Sequence, residues 1–490
     1  MLIKQGFEIN KIKKKVIILE ENKLNVLNGK KHIHFIGIGG SGMYPLAQIL
    51  HSQGYCLTGS DNNETETLEA VRKMGIPVFL GQRAENIEGA DLIVHTAAIM
   101  ADNPELIAAK ASGVPVLERS ELLGIVTSWY NDAICVSGTH GKTTTTSMIT
   151  QVLYTAGVDL SAFIGGKLPC IGGSGRAGKS EVMVCESCEF VDTFLKLYPD
   201  IAVILNIDAD HLDYFKTLEN IIKSFRKFAQ NATKALIING DDANTLKAVD
   251  GLDKKKITFG LETSNDYYAT DIKQISALEY EYTAHKNNEI LGKITLHVAG
   301  SHNVLNSLAA IAAADYVGVP FDKIQQGLSD FRGAGRRFEL IGKEKGVTVV
   351  DDYAHHPTEL AVTLKAAMDM GYKNVWAVFQ PFTFSRTQIL LDEFADALSI
   401  PDKAVLTDIM GSREKNTYGI FTRNLAEKID GCIYFPQDEA AEYTDERKYQ
   451  NFDDVCNYVC ENASDGDLVI TLGCGDVYKV AKMILKKLKG

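Results

Sequence analysis

Residues 136–146 read V-S-G-T-H-G-K-T-T-T-T, a glycine-hinged loop carrying one lysine and then a run of hydroxyls. Apolar Ala133, Ile134, Cys135 and Val136 lead into it, and Met148, Ile149, Val152 and Leu153 follow at helical spacing. This pattern predicts a strand, a tight turn and a helix start, which aims backbone N–H groups and the positive end of a helix dipole at a phosphate. Lys142 is placed to meet the terminal phosphates of a nucleoside triphosphate, and Thr143 or Thr144 to hold a magnesium ion. The strict phosphate-loop pattern wants glycine at 136, where Val136 stands, so the loop is a shortened variant hinged at Gly138 and Gly141. A Gly-Lys-Thr turn arising by chance is the bland alternative. The strand before it and the four threonines after it argue against that.

Working outward, the central region offers carboxylates at strand ends. Glu186 and Glu189 follow the apolar run Val182, Met183, Val184. Asp208, Asp210 and His211 follow the run from Ile201 to Leu205. Acids at the C-terminal ends of parallel strands beside a phosphate loop are placed to hold magnesium, and His211 is a candidate for a second ion. Residues 265–300 instead alternate apolar and polar side chains, as antiparallel hairpins added to a sheet do. An alanine-rich helix is expected from Asn303 to Val317.

Upstream, His34-Phe35-Ile36 runs into the G-x-G-x-x-G stretch of residues 37–42, and a helix is expected to follow from Met43. Asp61 lies about 20 residues on, where a dinucleotide fold places its ribose carboxylate. A nicotinamide-dependent oxidoreductase is therefore one hypothesis. A second phosphate loop in the next domain favours another: one nucleotide as energy source and one as part of the substrate. Downstream, Arg336 and Arg337 lie in a glycine-rich hinge. Asp351-Asp352-Tyr353-Ala354-His355-His356-Pro357 follows the expected first strand of a third domain, and Arg386 lies just after Gln380-Pro381. These arginines suit a transferring phosphoryl group or an acyl phosphate, with surface ion pairs as the bland reading.

At 490 residues the chain is too long for one core and predicts about three domains at roughly 150 residues each. Strand-like runs alternating with helical patterns make the expected class α/β with parallel sheets. The balance of 51 basic against 63 acidic residues gives a net charge of -12, which argues against general nucleic-acid binding. No apolar run approaches the roughly 20 residues of a membrane span. The early lysines Lys11, Lys13, Lys14 and Lys15 lack the apolar segment of a cleavable leader, so a cytoplasmic location is expected. Nine cysteines, an odd number, fit free thiols. The Cys185/Cys188 and Cys456/Cys460 pairs lack metal-type partners, and zinc is not expected.

The motifs together resemble the ATP-dependent Mur ligases of peptidoglycan synthesis. The matching pieces are H-F-I-G-I-G-G-S-G-M (34–43), G-T-H-G-K-T-T-T-T (138–146), N-I-D-A-D-H-L-D (206–213), G-S-H-N-V-L-N (300–306), G-R-R-F-E (335–339) and D-D-Y-A-H-H-P (351–357). They span all three domains, and the first and last point to the alanine-adding branch. The resemblance implies an N-terminal extension (1–30), a Rossmann-like UDP-sugar domain (31–120), a central phosphate-loop ATP domain with added antiparallel strands (121–332) and a Rossmann-like C-terminal ligase domain (333–490).

It also implies roles. Gly37, Gly39, Gly40, Ser41, Gly42, Met43, Ser60, Asp61, His95 and Arg119 would face the UDP-sugar. Gly138, Thr139, His140, Gly141, Lys142, Thr143 and Thr144 would hold the phosphates of ATP, with Thr143, Glu186 and His211 on Mg2+. His302 and Asn303 would lie against adenine, Arg336 near the γ-phosphate and Asp351 on the ribose. His355 and Arg386 would lie near the incoming amino acid and the acyl phosphate.

Implied substrates are ATP, UDP-N-acetylmuramate and L-alanine, handled by a monomer or homodimer. A related ligase adding a recycled tripeptide, and a phosphate-loop ATPase, are the alternatives. Two departures from the family pattern stand out. Relatives often read E-A-D-E-S-D where this chain reads Glu186-Ser187-Cys188-Glu189-Phe190-Val191, which leaves open which glutamate meets the metal. Phe382 stands where the family often has histidine.

Overall fold

The computed structural model describes residues 24–276, 278–411, 414–436 and 450–490. Residues 1–23 of the expected N-terminal extension lie outside them. Three sheets organise the chain, one for each of three α/β domains. The first holds β1 (His32–Ile36), β2 (Cys56–Asp61), β3 (Val78–Leu80), β4 (Leu92–His95) and β5 (Val116–Glu118) in the order β3-β2-β1-β4-β5. All of its pairings are parallel. The glycine loop leaves the C-terminal end of β1, where the strand order reverses and a parallel sheet opens its ligand crevice.

The central sheet has ten strands: β6 (Asp132–Ser137), β7 (Ser161–Leu168), β8 (Gly173–Arg176), β9 (Val182–Glu186), β10 (Ile201–Ile204), β11 (Ala235–Asn239), β12 (Lys256–Gly260), β13 (Tyr267–Ser276), β14 (Glu279–Lys286) and β15 (Glu289–Leu296). Their order is β15-β14-β13-β12-β11-β10-β6-β9-β7-β8. Ala133, Ile134, Cys135 and Val136 of β6 are fully buried, as a parallel strand covered on both faces requires. Strand β6 lies between β9 and β10, so the turns after those two flank the phosphate loop. The expected added hairpin is present. Strands β14 and β15 are neighbours joined at Asn287 and Asn288, both left-handed at φ 47° and 70°, the chemistry of a two-residue hairpin turn.

The third sheet holds β16 (Glu339–Glu344), β17 (Val347–Asp352), β18 (Val375–Phe379), β19 (Lys403–Leu406), β20 (Ile433–Tyr434) and β21 (Leu468–Leu472), in the order β16-β17-β21-β18-β19-β20. Only β16 runs antiparallel. This corrects the sequence reading, which makes β17 the first strand of the domain. Strand β16 is an edge strand with part-exposed side chains and no buried apolar run, so it carries little sequence signal.

The chain forms two compact units. One comprises residues up to 272 with 282–294 and 304–331, so the first two sheets share it; the other comprises 273–281, 295–303 and everything from Arg332 onward.

Candidate active site

The phosphate loop bridges β6 and the helix Lys142–Thr155. Gly138 at φ 147° passes so close to the end of β10 that a Cβ there would lie 2.9 Å from the Leu205 Cβ. Gly141 is left-handed at φ 85°, and a Cβ on it would lie 2.6 Å from the Asn306 side-chain oxygen. Asn206 pins the loop: its Oδ1 accepts from the His140 N–H (2.8 Å) and its Nδ2 donates to the His140 carbonyl (3.1 Å). Its carbonyl also accepts from the Thr139 N–H, and the Thr139 hydroxyl accepts from the Asp208 N–H at 2.9 Å. The helix begins without a side-chain cap, leaving its positive end to whatever anion the loop cradles.

Lys142 folds back over the loop. Its ammonium donates to the carbonyls of Gly138 (2.6 Å) and Thr139 (3.0 Å) and to Glu189 Oε1 (3.0 Å). Burial, the largest single influence, would lower the lysine's pKa, but the charge and hydrogen bond of Glu189 together with the nearby Cys188 and Glu186 outweigh it and the net shift is upward. The Thr143 hydroxyl donates to Glu186 Oε1 at 2.8 Å, and the Gly165 N–H donates to Glu186 Oε2 at 2.6 Å. A Cβ on Gly165 would lie 2.6 Å from that carboxylate, so β7 grips it closely. The two glutamates thus take different partners, Glu186 the threonine and Glu189 the lysine.

On the other flank, His211 is left-handed at φ 53° and its ring packs 4.6 Å from that of Phe190. Its Nε2 lies 3.7 Å from Asp210 Oδ2. Among the described residues, no three His, Cys, Asp or Glu side chains gather as a metal cage. Thr143 and Glu186 nevertheless offer the hard oxygen donors that magnesium takes when it arrives with a nucleotide's phosphates.

In the first domain, the Ser60 carbonyl accepts from the N–H groups of Gly37 (2.8 Å) and Ile38 (3.0 Å), and Asp61 Oδ2 accepts from Gly39 N–H at 2.9 Å. Gly40 and Met43 continue the turn through loop hydrogen bonds, 3.1 Å from Gly40 N–H to the Gly37 carbonyl and 2.9 Å from Met43 N–H to the Gly40 carbonyl. The Ser60 hydroxyl is turned inward and donates to Glu105 at 2.6 Å, and Glu105 is paired at 2.6 Å with His34, all three fully buried. His95 ends β4 with its Nδ1 3.0 Å from the Thr96 carbonyl. Arg119 lies against Gly42, whose Cβ would sit 3.0 Å from its Nη1, and its guanidinium is 5.9 Å from the Phe163 ring on β7. A continuous path within one compact unit therefore runs from the glycine loop through Arg119 and β7 to Glu186, Thr143 and Lys142.

In the other unit, polar groups gather at the C-terminal ends of β17, β18 and β21. The Arg336 guanidinium donates to Asp351 (2.9 Å) and to the carbonyls of Gly475 (3.0 Å) and Gly473, between the rings of Tyr353 (5.0 Å) and Tyr478 (4.8 Å). Asp351 is 1% exposed and also accepts from the Thr471 hydroxyl at 2.6 Å; burial raises its pKa against the pull of Arg336. Burial likewise pushes Asp352 up to about 6. His355 is held below its ordinary pKa by burial, with Glu359 opposing that shift and Arg386 adding to it. Arg386 keeps a buried Nη1 with no hydrogen-bond partner. Asn303 is buried and donates to the Ala299 carbonyl at 2.6 Å, while His302 crowds Gly300, whose Cβ would lie 2.3 Å from its ring. Phe382 makes a backbone bridge with Met410.

Three family models match the chain: Mur ligase family, catalytic domain (32–130), Mur ligase middle domain (136–314) and Mur ligase, glutamate ligase domain (336–475). The chain belongs to the Mur ligase family. A UDP-N-acetylmuramate–L-alanine ligase from Acetivibrio thermocellus is 44% identical over 96% of this chain and 97% of its own. A protein of the same name from Caldanaerobacter subterraneus is 42% identical over 94% and 98%. Among solved structures, the UDP-N-acetylmuramate-alanine ligase of Thermotoga maritima matches with a TM-score of 0.78 at 27% identity, covering 94% of this chain and 99% of that one.

Set on this Mur ligase, the residues expected from sequence divide by what holds them. Lys142, Thr143, Glu186 and the loop glycines meet around one point, and Thr143 rather than Thr144 faces the carboxylate. The Ser60 and Asp351 side chains are buried on internal partners, and Arg336 is held by Asp351 and loop carbonyls of its own domain. Sequence reasoning missed Asn206 as the loop's pin and Gly165 as the clamp on Glu186. The paired glycines Gly165-Gly166 in an apolar strand were the available signal, since glycine there marks a close backbone approach.

Proposed function

We propose that this Mur ligase joins L-alanine to the carboxylate of UDP-N-acetylmuramate at the expense of ATP, a step in making peptidoglycan precursors. The observation that carries this reading is the path from the glycine loop to the phosphate loop inside one compact unit. A sugar nucleotide on the first loop and a triphosphate on the second would then lie at neighbouring ends of two sheets.

A carboxylate is a poor acyl donor, so its oxygen first attacks the γ-phosphorus of ATP, giving an acyl phosphate and ADP. The alanine amine then adds to the acyl carbon, and the tetrahedral intermediate expels inorganic phosphate. Lys142 steadies the phosphates. Thr143 and Glu186 would hold Mg2+ and His211 a second ion, supplying positive charge opposite the phosphoryl oxygens. Arg386, with its unsatisfied donor beside His355, is the cation assigned to the acyl phosphate. His355, disfavoured as a cation by burial, is suited to receive a proton from the incoming amine.

We assign the domains to 31–120, 121–332 and 333–490, and the working state to a monomer or homodimer in the cytoplasm, in keeping with nine free cysteines. No helix among the described residues is long and apolar enough to cross a membrane. Phosphate release from ATP and UDP-N-acetylmuramate tests the reading, with L-alanine or L-alanyl-γ-D-glutamyl tripeptide as acceptor. Release that depends on L-alanine is expected. Release that depends only on the tripeptide would transfer the assignment to the recycling ligase, and turnover without any acceptor would sink both.

A further inference from the structure

The phosphate loop carries one cation, Lys142, and that charge is already matched. Glu189 lies 2.9 Å from the ammonium with its side chain 3% exposed, so solvent screens the pair little. Both of its carboxylate oxygens face that ammonium, Oε1 at 3.0 Å and Oε2 at 2.9 Å. Glu186 adds a second carboxylate on Thr143. Around the loop, two carboxylates therefore face one ammonium. Ordinary phosphate loops present a surplus of positive charge, and a bare triphosphate can bind to it. Here the phosphates must draw Lys142 away from Glu189, which leaves a buried carboxylate short of positive charge beside an incoming polyanion. Desolvated like charges at such range repel strongly. A divalent cation arriving with the phosphates removes the conflict.

We propose that Glu189 makes this loop selective for the cation-complexed triphosphate over the metal-free one. The proposal rests on reading the loop as a triphosphate site, and it gives Glu189 a task separate from that of Glu186. Glu186 would bind the metal directly, whereas Glu189 excludes nucleotide that comes without it.

The test is calorimetric ATP binding to the full-length chain, with excess Mg2+ and with EDTA. The wild type should bind far more weakly in EDTA. In Glu189→Gln, metal-free binding should tighten so that the ratio of the two dissociation constants falls at least about tenfold, roughly 1.4 kcal/mol. Glu189→Asp keeps the charge and should keep the wild-type ratio. Glu189→Met serves if the glutamine variant does not give a cooperative melt. An unchanged ratio in the neutral variants overturns the proposal alone. Absence of ATP binding by the wild type under both conditions overturns the triphosphate reading and the proposal with it.

Discussion

Lys142 donates to two loop carbonyls and a buried carboxylate, so removing it does two separate things. It takes a charge from the phosphates, which should lower turnover at least about a hundredfold in Lys142→Ala. It also leaves Glu189 buried without a partner, at a cost of roughly 3–5 kcal/mol in folding. The double variant Lys142→Met/Glu189→Gln should regain most of the lost thermal stability while staying inactive. Recovery of activity together with stability would show that Lys142 acts only as a structural partner. In the ligase domain, Asp352 presents a cleaner electrostatic case. Burial lifts its pKa to about 6 from 3.8, so the folded state binds a proton that the unfolded chain has released. The sign follows: this contribution is fully present below pH 4 and is lost as pH rises through 6. Relative to Asp352→Asn, the wild type should lose about 3 kcal/mol between those pH values, read from paired urea melts. A gap that stays constant with pH would refute it.

At the scale of elements, the loop between β6 and its helix depends on Gly141, whose φ of 85° and missing Cβ let Asn306 close over the turn. Gly141→Ala should cost about 1–2 kcal/mol from backbone handedness alone. The Asn306 contact adds displacement of the loop, so ATP affinity should fall more steeply than the melting temperature; equal or no loss of affinity would show the turn to be tolerant.

This loop was legible from sequence because its constraints are local: an apolar strand, two glycines, a lysine and a helical pattern adjoin in one short stretch. The flanking turns after β9 and β10 were legible for a related reason, since acids after buried runs mark strand ends. What the sequence hid depends on partners far along the chain. Glu189 pairs with Lys142 across 47 positions, and Arg336 closes on carbonyls 137 to 139 positions away. Edge strand β16 was invisible because its side chains are only half covered and carry no periodic burial.

For the whole molecule, the decisive fact is which elements share a compact unit. The glycine loop and the phosphate loop do, tied by the Arg119 contact with Phe163 and by the Lys167–Glu66 pair at 2.6 Å. A ligand that binds only folded protein stabilises the unit containing its site, by about 2.7 kcal/mol at a hundred times its dissociation constant. UDP-N-acetylmuramate and a non-hydrolysable ATP analogue with Mg2+ should therefore raise the same calorimetric transition, although the loops proposed to bind them belong to different sheets. Added together, they should raise it further than either alone. Chains with several domains need not unfold in one step, so a second transition assigned to the ligase domain is compatible with this. If the UDP-sugar shifts one transition and the ATP analogue shifts only another, the two loops lie in units that unfold independently. The path through Arg119 would then carry no energetic link between sugar nucleotide and triphosphate.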